Sequence, residues 1–561
     1  MSYLNVPRLY FAGEFIADPN TINNSPPNFE LGAQLPPAVQ GWNPKGTGAW
    51  SFSGCTVTAV TYVDGEHVVA PGDDPALGAS VHSVANPSGG KMVDLDPDQQ
   101  MVSELWGLTV SLGDTAGSDS FTGDYTPAAF QDIWPAGPGG QAGFRVWYQS
   151  TITGVQWAGS LGSRLLSELQ QASDGVLSIK FMLDRYNAHN PALANGPPNF
   201  PDPGNGLAFT HGRIVGAIGP GTPGEPRQLV PARLLRPMPG SSPMHFAPCV
   251  VDTARRKVVV DLGNSIKAAH LRDETMEDLG LLELAVLPAD GDPVLLGPLD
   301  YQAEDWYPTT AGIAEFPPAG TLSDHQLALL ESNPLGIVAV PKSKLGHPLL
   351  QENPDGSFLK ADNFVYRLDP GVADRQVDLY ATRFGAPLTG ATITLGVSPN
   401  SPNSPNALPL PVPPPTDAAG KTSFTWQPGN PGNPRPDDLD GEVCFITYEL
   451  ADFVNTYPDD NDFLSVHLYA EQPAVEQPTW WGEVRPILTQ YHQLYPVMAF
   501  IPLDDYRAVV KSAKQIREAI NRPLTAPMYM PVTRDLSASR LALLNRWFDN
   551  GTPEGEPPLS A

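Results

Sequence analysis

The chain has 561 residues, and its 63 prolines and 52 glycines make about a fifth of them, well above the roughly 12% of an average chain but below the roughly 25–30% of a low-complexity one. With 41% apolar and 9% aromatic residues, this composition describes three to four folded domains of roughly 150 residues each, joined by turns rich in Pro, Gly, Asn and Ser. A net charge of −28 excludes a phosphate-backbone binder, whose affinity comes from Lys and Arg displacing counterions.

The opening, MSYLNVPRLYFAGEF, has neither a basic n-region nor an apolar h-region, so no secretion signal is expected. No run approaches the roughly 18 apolar residues of a membrane-spanning helix. Cys55, Cys249 and Cys444 are too dispersed for a disulfide framework or a thiolate metal site. The expectation is a cytoplasmic protein with no nucleic acid and no membrane span; release by a signal-free route stays open.

Residues 1–165 and 166–360 read as two β-rich domains. Leu108–Leu112, Phe144–Val155, Val176–Phe181, Ile214–Ile218 and Val250–Leu262 are short apolar or alternating runs punctuated by Gly, Pro, Asn or Asp, the signature of strands and turns. VVDTARRKVVVDL (Val250–Leu262) predicts a hairpin. Ser163–Ala172 and Ser323–Glu331 carry helical period, the latter with Ser323 as its N-cap. Many short strands with long turns argue for barrels or sandwiches.

Residues 361–472 form a third unit, with a Pro/Asn-rich loop over 398–436. VDLYATRFGAPLTGATITLGV, AGKTSFTW and EVCFITYEL alternate apolar and polar residues around the Gly385–Gly390 turn. This pattern resembles the bacterial immunoglobulin-like sandwiches. Ser398–Pro415 (SPNSPNSPNALPLPVPPP) cannot donate to a ladder at its prolines and favours polyproline geometry, so it is a loop or crossing arm.

Residues 473–561 change to helical period in WWGEVRPILTQYHQLYP, DDYRAVVKSAKQIREAI and SASRLALLNRWF. Asp504 and Ser537 are the expected caps of the second and third helices. The order Val484-Arg-Pro-Ile-Leu488, His492-Gln-Leu-Tyr495-Pro496, Met530-Pro531, Leu536-Ser537 and Arg546-Trp547 resembles a class I cytochrome c domain. That resemblance implies a distal Met at Met530. Where the family has Cys-x-x-Cys-His, this chain has neither cysteine, and Pro496 stands at the proximal His, so covalent haem attachment is impossible. No cofactor is expected; His492 and Met530 are the candidate contacts for noncovalent haem or another flat ligand.

A broader resemblance rests on VPRLYFAGEF (Val6–Phe15), FSGCTVTAVTY (Phe52–Tyr62), DLDPD (Asp94–Asp98), ARLLRP (Ala232–Pro237) and YMPVTRDLS (Tyr529–Ser537), in that order. They are similar to the N-terminal half of the violacein-pathway imine-dimer synthase family, in which a ferritin-like helical half follows. The resemblance implies amino-acid-derived imines as a substrate class and a ferritin-like or other oxidoreductase partner. No Glu-x-x-His or His-x-x-x-His occurs here, so neither a ferritin-like nor a zinc site is signalled locally.

The remaining motifs each have a simpler reading. Asp94, Asp96 and Asp98 alternate as cation ligands do, but Gln99 and Leu105 occupy the EF-hand Gly and Glu positions, so a turn is expected. Asp437, Asp438, Asp440 and Asp459, Asp460, Asp462 lie on two acidic loops that a Ca²⁺ ion could join at one end of the sandwich; solvated charge is the default. Ala158-Gly-Ser160-Leu-Gly162 lacks the first Gly of a nucleophile elbow, leaving Ser160 or Ser163 as a helix cap. Gly219-Pro-Gly221-Thr-Pro-Gly224 is followed by Pro226 and Pro231 rather than by the helix a phosphate loop needs. Trp480-Trp481 is expected to staple the first C-terminal helix to the sandwich, and Trp134, Trp147 and Trp157 to be core rather than a carbohydrate site.

The fold class expected is therefore mainly β and multidomain: a barrel or sandwich N-terminal region, an immunoglobulin-like sandwich, and a small cytochrome c-like helical module. The first functional expectation is a non-catalytic accessory or assembly protein with a protein partner or a second copy. The alternatives are a specialised-metabolism enzyme acting on imines, with residues drawn from the β region, and a ligand- or carbohydrate-binding surface module. A redox centre held in the tail, or a tight pocket of converging acid and imidazole groups elsewhere, would overturn the accessory reading.

Overall fold

The computed structural model describes residues 2–18, 46–83, 89–96, 102–113, 119–136, 144–159, 162–185, 210–238, 242–269, 275–340, 348–435, 439–453, 462–495 and 498–557. Strand Arg8–Asp18 pairs antiparallel with Thr210–Gly221 on one side and Ala49–Thr61 on the other. Between those two, the ladder passes through Val176–Arg185, Phe144–Trp157, Asp119–Tyr125, Thr109–Gly113 and Ser80–His82. The ring closes, which removes the exposed edges an open sheet would present. Successive side chains point to opposite faces of a strand. Leu9, Phe11, Ile214 and Ile218 therefore fill the barrel interior, while Tyr10, Val215 and Ala217 pack outward against a second core.

That second core belongs to an eight-stranded sheet running from Arg233–Pro237 to Pro348–Gln351. The expected hairpin is present, Ala247–Asp252 pairing with Lys257–Asp261. The barrel continues to Gly221, beyond the boundary expected at residue 165, so strands Val176–Arg185 and Thr210–Gly221 belong to the first sheet. Local periodicity marks a strand but does not say which strand it pairs with. Buried cations lock barrel and sheet together. Lys180 Nζ of the barrel sits 2.9 Å from Asp261 of the sheet, and Arg145, held within the barrel by Asp184 at 2.6 Å, donates Nη1 to the Gly263 carbonyl at 3.0 Å.

Two four-stranded sheets then pack over Val377, Leu379, Ile393, Trp426, Cys444 and Ile446 as a β-sandwich. Within the proline arm, Pro409, Val412 and Pro415 are exposed while Pro413 and Thr416 are buried, the three-residue period of a polyproline helix. The chain ends in helices Arg485–Leu494, Tyr506–Lys511, Ala513–Ile520 and Ala538–Asp549. Ser163, Ser323 and Ser537 cap their helices as expected, each accepting a backbone N–H three residues on. The second C-terminal helix is capped by Asp505 rather than Asp504, through Ala508 N–H at 2.7 Å, and its periodic run is broken at Ser512. Trp480 is buried against Trp547 and Tyr506, so it fastens the first helix to the last rather than to the sandwich. No described helix is long and apolar enough to cross a membrane.

Candidate functional site

Of the acidic residues singled out from sequence, Asp96, Asp440 and Asp462 are engaged by cations of the chain itself. Asp94 accepts from Ser103 N–H at 3.2 Å and Ser103 Oγ at 2.7 Å. Asp96 is fully buried and pairs with Arg435, whose Nη2 also donates to the Asp440 carbonyl at 2.6 Å. The Asp440 carboxylate accepts from Ala470 N–H at 3.0 Å and lies 3.1 Å from Arg540 Nε. Asp462 lies 3.6 Å from Arg236 and 3.5 Å from Lys360. Asp96 and Asp440 thus meet through a guanidinium rather than through an open cation site. Asp98, Asp437, Asp438, Asp459 and Asp460 lie outside the described residues, as do Ser160 and Pro496. Among the described residues, no group of three or more His, Cys, Asp or Glu is placed to hold a metal ion.

These pairs form a junction where barrel, sandwich and helical tail meet. Arg367 of the sandwich donates to Glu104 at 2.6 Å and to the Asp94 carbonyl at 2.7 Å. His467 Nε2 lies 2.7 Å from the Asp440 carbonyl, and burial pulls its pKa down to about 4. On the tail side, Asp535 accepts from Thr533 Oγ1 and from Tyr491 OH at 3.3 Å, and burial pushes its carboxyl up to about 6. Desolvation disfavours the charged form of both groups, with opposite directions of shift.

Next to this junction the helical tail forms an apolar cavity of about 260 Å³, open to solvent on one side. Leu488 and Tyr491 of the first helix, Ile516 and Ala519 of the third, and Leu544 of the last supply its walls. Met498 and Phe500 come from the connection after the first helix, and Met528 and Met530 from the loop before the last. That loop is held by Arg534, a buried guanidinium at φ +51 that donates to the carbonyls of Leu524 at 3.2 Å and Ala526 at 3.1 Å, and to that of Val532. Burial depresses Arg534 to about 10. The rim is formed by Phe500, 73% exposed, and Met528, 45% exposed.

Met530, singled out from sequence, lines this cavity; His492 does not, and stands 3.4 Å from Asp504 instead. The described wall carries no imidazole, thiolate or carboxylate. It offers thioethers but no nitrogen ligand, so these residues do not fit haem with the usual axial pair.

One arrangement was hidden from sequence reasoning. His245 Nε2 lies 2.6 Å from Asp132 Oδ2, and Asn264 Nδ2 donates to that oxygen at 2.6 Å. Trp134 stacks on the imidazole at 4.6 Å and donates its N–H to Asn264 Oδ1 at 3.1 Å. The residues lie on a barrel-sheet strand, the entry to the hairpin and the segment after it, with no local spacing to betray them. Asp132 and Gln131 also line a crevice of about 20 Å³, room for a single water. Among known proteins, no family model matches this chain and no curated protein is similar enough to count as a relative.

Proposed function

We propose that this chain is a non-catalytic accessory protein: a β-rich body presenting a helical receptor module that acts beside a ferritin-like or other oxidoreductase partner. The observation that carries this reading is the apolar cavity in the tail, whose described walls bear no carboxylate, thiolate or imidazole. Ligand pockets are commonly apolar clefts with few polar groups, whereas a catalytic site needs titratable groups converging on a reacting atom. The cytochrome c-like order of motifs supports a module that keeps a flat-ligand scaffold without the haem anchors. Co-purification at native expression tests the proposal, with a stoichiometric oxidoreductase complex as the expected result. A partner-free protein with measurable turnover of its own overturns it.

The Asp132–His245 pair favours a second reading, an enzyme acting on amino-acid-derived imines. A buried carboxylate orienting an imidazole is the arrangement of a general base. On this reading, incubation with imines freshly formed from aromatic amino acids gives a product that His245→Ala abolishes. Equal product with and without the substitution removes it.

A further inference from the structure

We infer that the tail cavity takes a neutral, planar aromatic molecule of about two fused rings. This rests on the reading of the module as a receptor, and it names the ligand class. Size sets the first limit. A dry protein cavity of about 150 Å³ admits benzene, and this one measures about 260 Å³, which leaves room for a second ring but not for a porphyrin.

Wall chemistry sets the second. Met498, Met528 and Met530, three of the ten methionines in the chain, face the same space. Thioethers are soft, adaptable and favourably placed at ring edges. Tyr491, Tyr495 and Phe500 add aromatic surface for stacked or edge contacts. Electrostatics sets the third. The Tyr491 and Tyr495 hydroxyls are engaged by Asp535 and Thr533, so these side chains offer rings rather than polar hooks. Arg522 at the edge pairs with Glu518 at 2.9 Å and is itself exposed. A charged ligand would lose its hydration there without a buried counter-charge.

The test uses the full chain labelled with ¹³C-methyl methionine and titrated with naphthalene, with octanoate as the aliphatic competitor. The expected result is saturable upfield ring-current shifts of the Met498, Met528 and Met530 methyl signals, assigned by single Met→Leu substitutions, with the other seven unmoved. Octanoate leaves these shifts unchanged. Ala519→Phe, which fills the cavity, weakens naphthalene binding at least tenfold with the helical circular dichroism retained. If that variant does not fold, the methyl shifts of the unsubstituted protein decide alone. Octanoate displacing naphthalene at equal concentration overturns the aromatic class and leaves the receptor reading standing. No shift with either compound, up to the solubility limit, overturns both.

Discussion

Asp535→Asn separates the electrostatics of the junction from everything else that titrates. Asp535 is 3% exposed, faces Thr533 and Tyr491, and has a carboxyl pushed up to about 6 by burial, with the charge of Asp96 adding to the rise. An unfolded aspartate titrates near 3.9, and one pKa unit corresponds to 1.36 kcal/mol. The folded state therefore holds its proton more tightly than the unfolded state between about pH 4 and 6. Stability falls as pH rises through that window, by about 3 kcal/mol in all. Asparagine keeps the acceptor and cannot ionise. The stability difference, variant minus wild type, is expected to be lowest at pH 4, to climb across the window by about 3 kcal/mol, and to level off above pH 7. A constant offset from the new amide N–H₂ does not alter that slope. Urea unfolding at half-unit pH steps, followed through the buried Trp480 and Trp547 of the tail, measures it. A difference that stays flat from pH 4 to 7.5 refutes the assignment of Asp535 as a group ionised in the folded state at a cost.

Three further outcomes follow from the same geometry. His467 shifts the other way, down to about 4 against roughly 6.5 unfolded. Its contribution is full above pH 6.5 and is lost as pH falls toward 4, so His467→Gln is expected to flatten the acid limb of the stability profile; an unchanged limb contradicts this. Arg534→Ala leaves three loop carbonyls without their buried donor, a loss of about 3–5 kcal/mol, and is expected to raise hydrogen exchange across residues 524–532 while weakening naphthalene binding. Protection that survives the substitution shows that the loop stands without it. Because Asp96, Asp440 and Asp462 are engaged by Arg435, Arg540, Arg236 and Lys360, millimolar Ca²⁺ is expected to leave thermal unfolding unshifted; a rise abolished by EGTA contradicts that.

What the sequence by itself determined here is short-range. Ser163, Ser323 and Ser537 are legible as caps because a cap is settled within three residues. The Val250–Leu262 hairpin and the helical tail are legible because alternation and helical period are local. The cap at Asp505 was missed by one residue, since the neighbouring Asp504 is the same type of capping side chain, and the break at Ser512 leaves no mark in a run whose period continues through it. The tertiary structure decided the rest. Asp96 reads as one of three alternating aspartates in a turn, and nothing near it in the chain announces Arg435, 339 residues away, which pairs with it. Asp132 and His245 meet only because barrel and second sheet pack face to face. The closure of Arg8–Asp18 onto two distant strands moved the expected boundary from residue 165 to beyond Gly221. Pairing partners and buried charge pairs are chosen by long-range packing, whose entropy of closure grows only slowly with chain separation, so no local spacing in the chain encodes them.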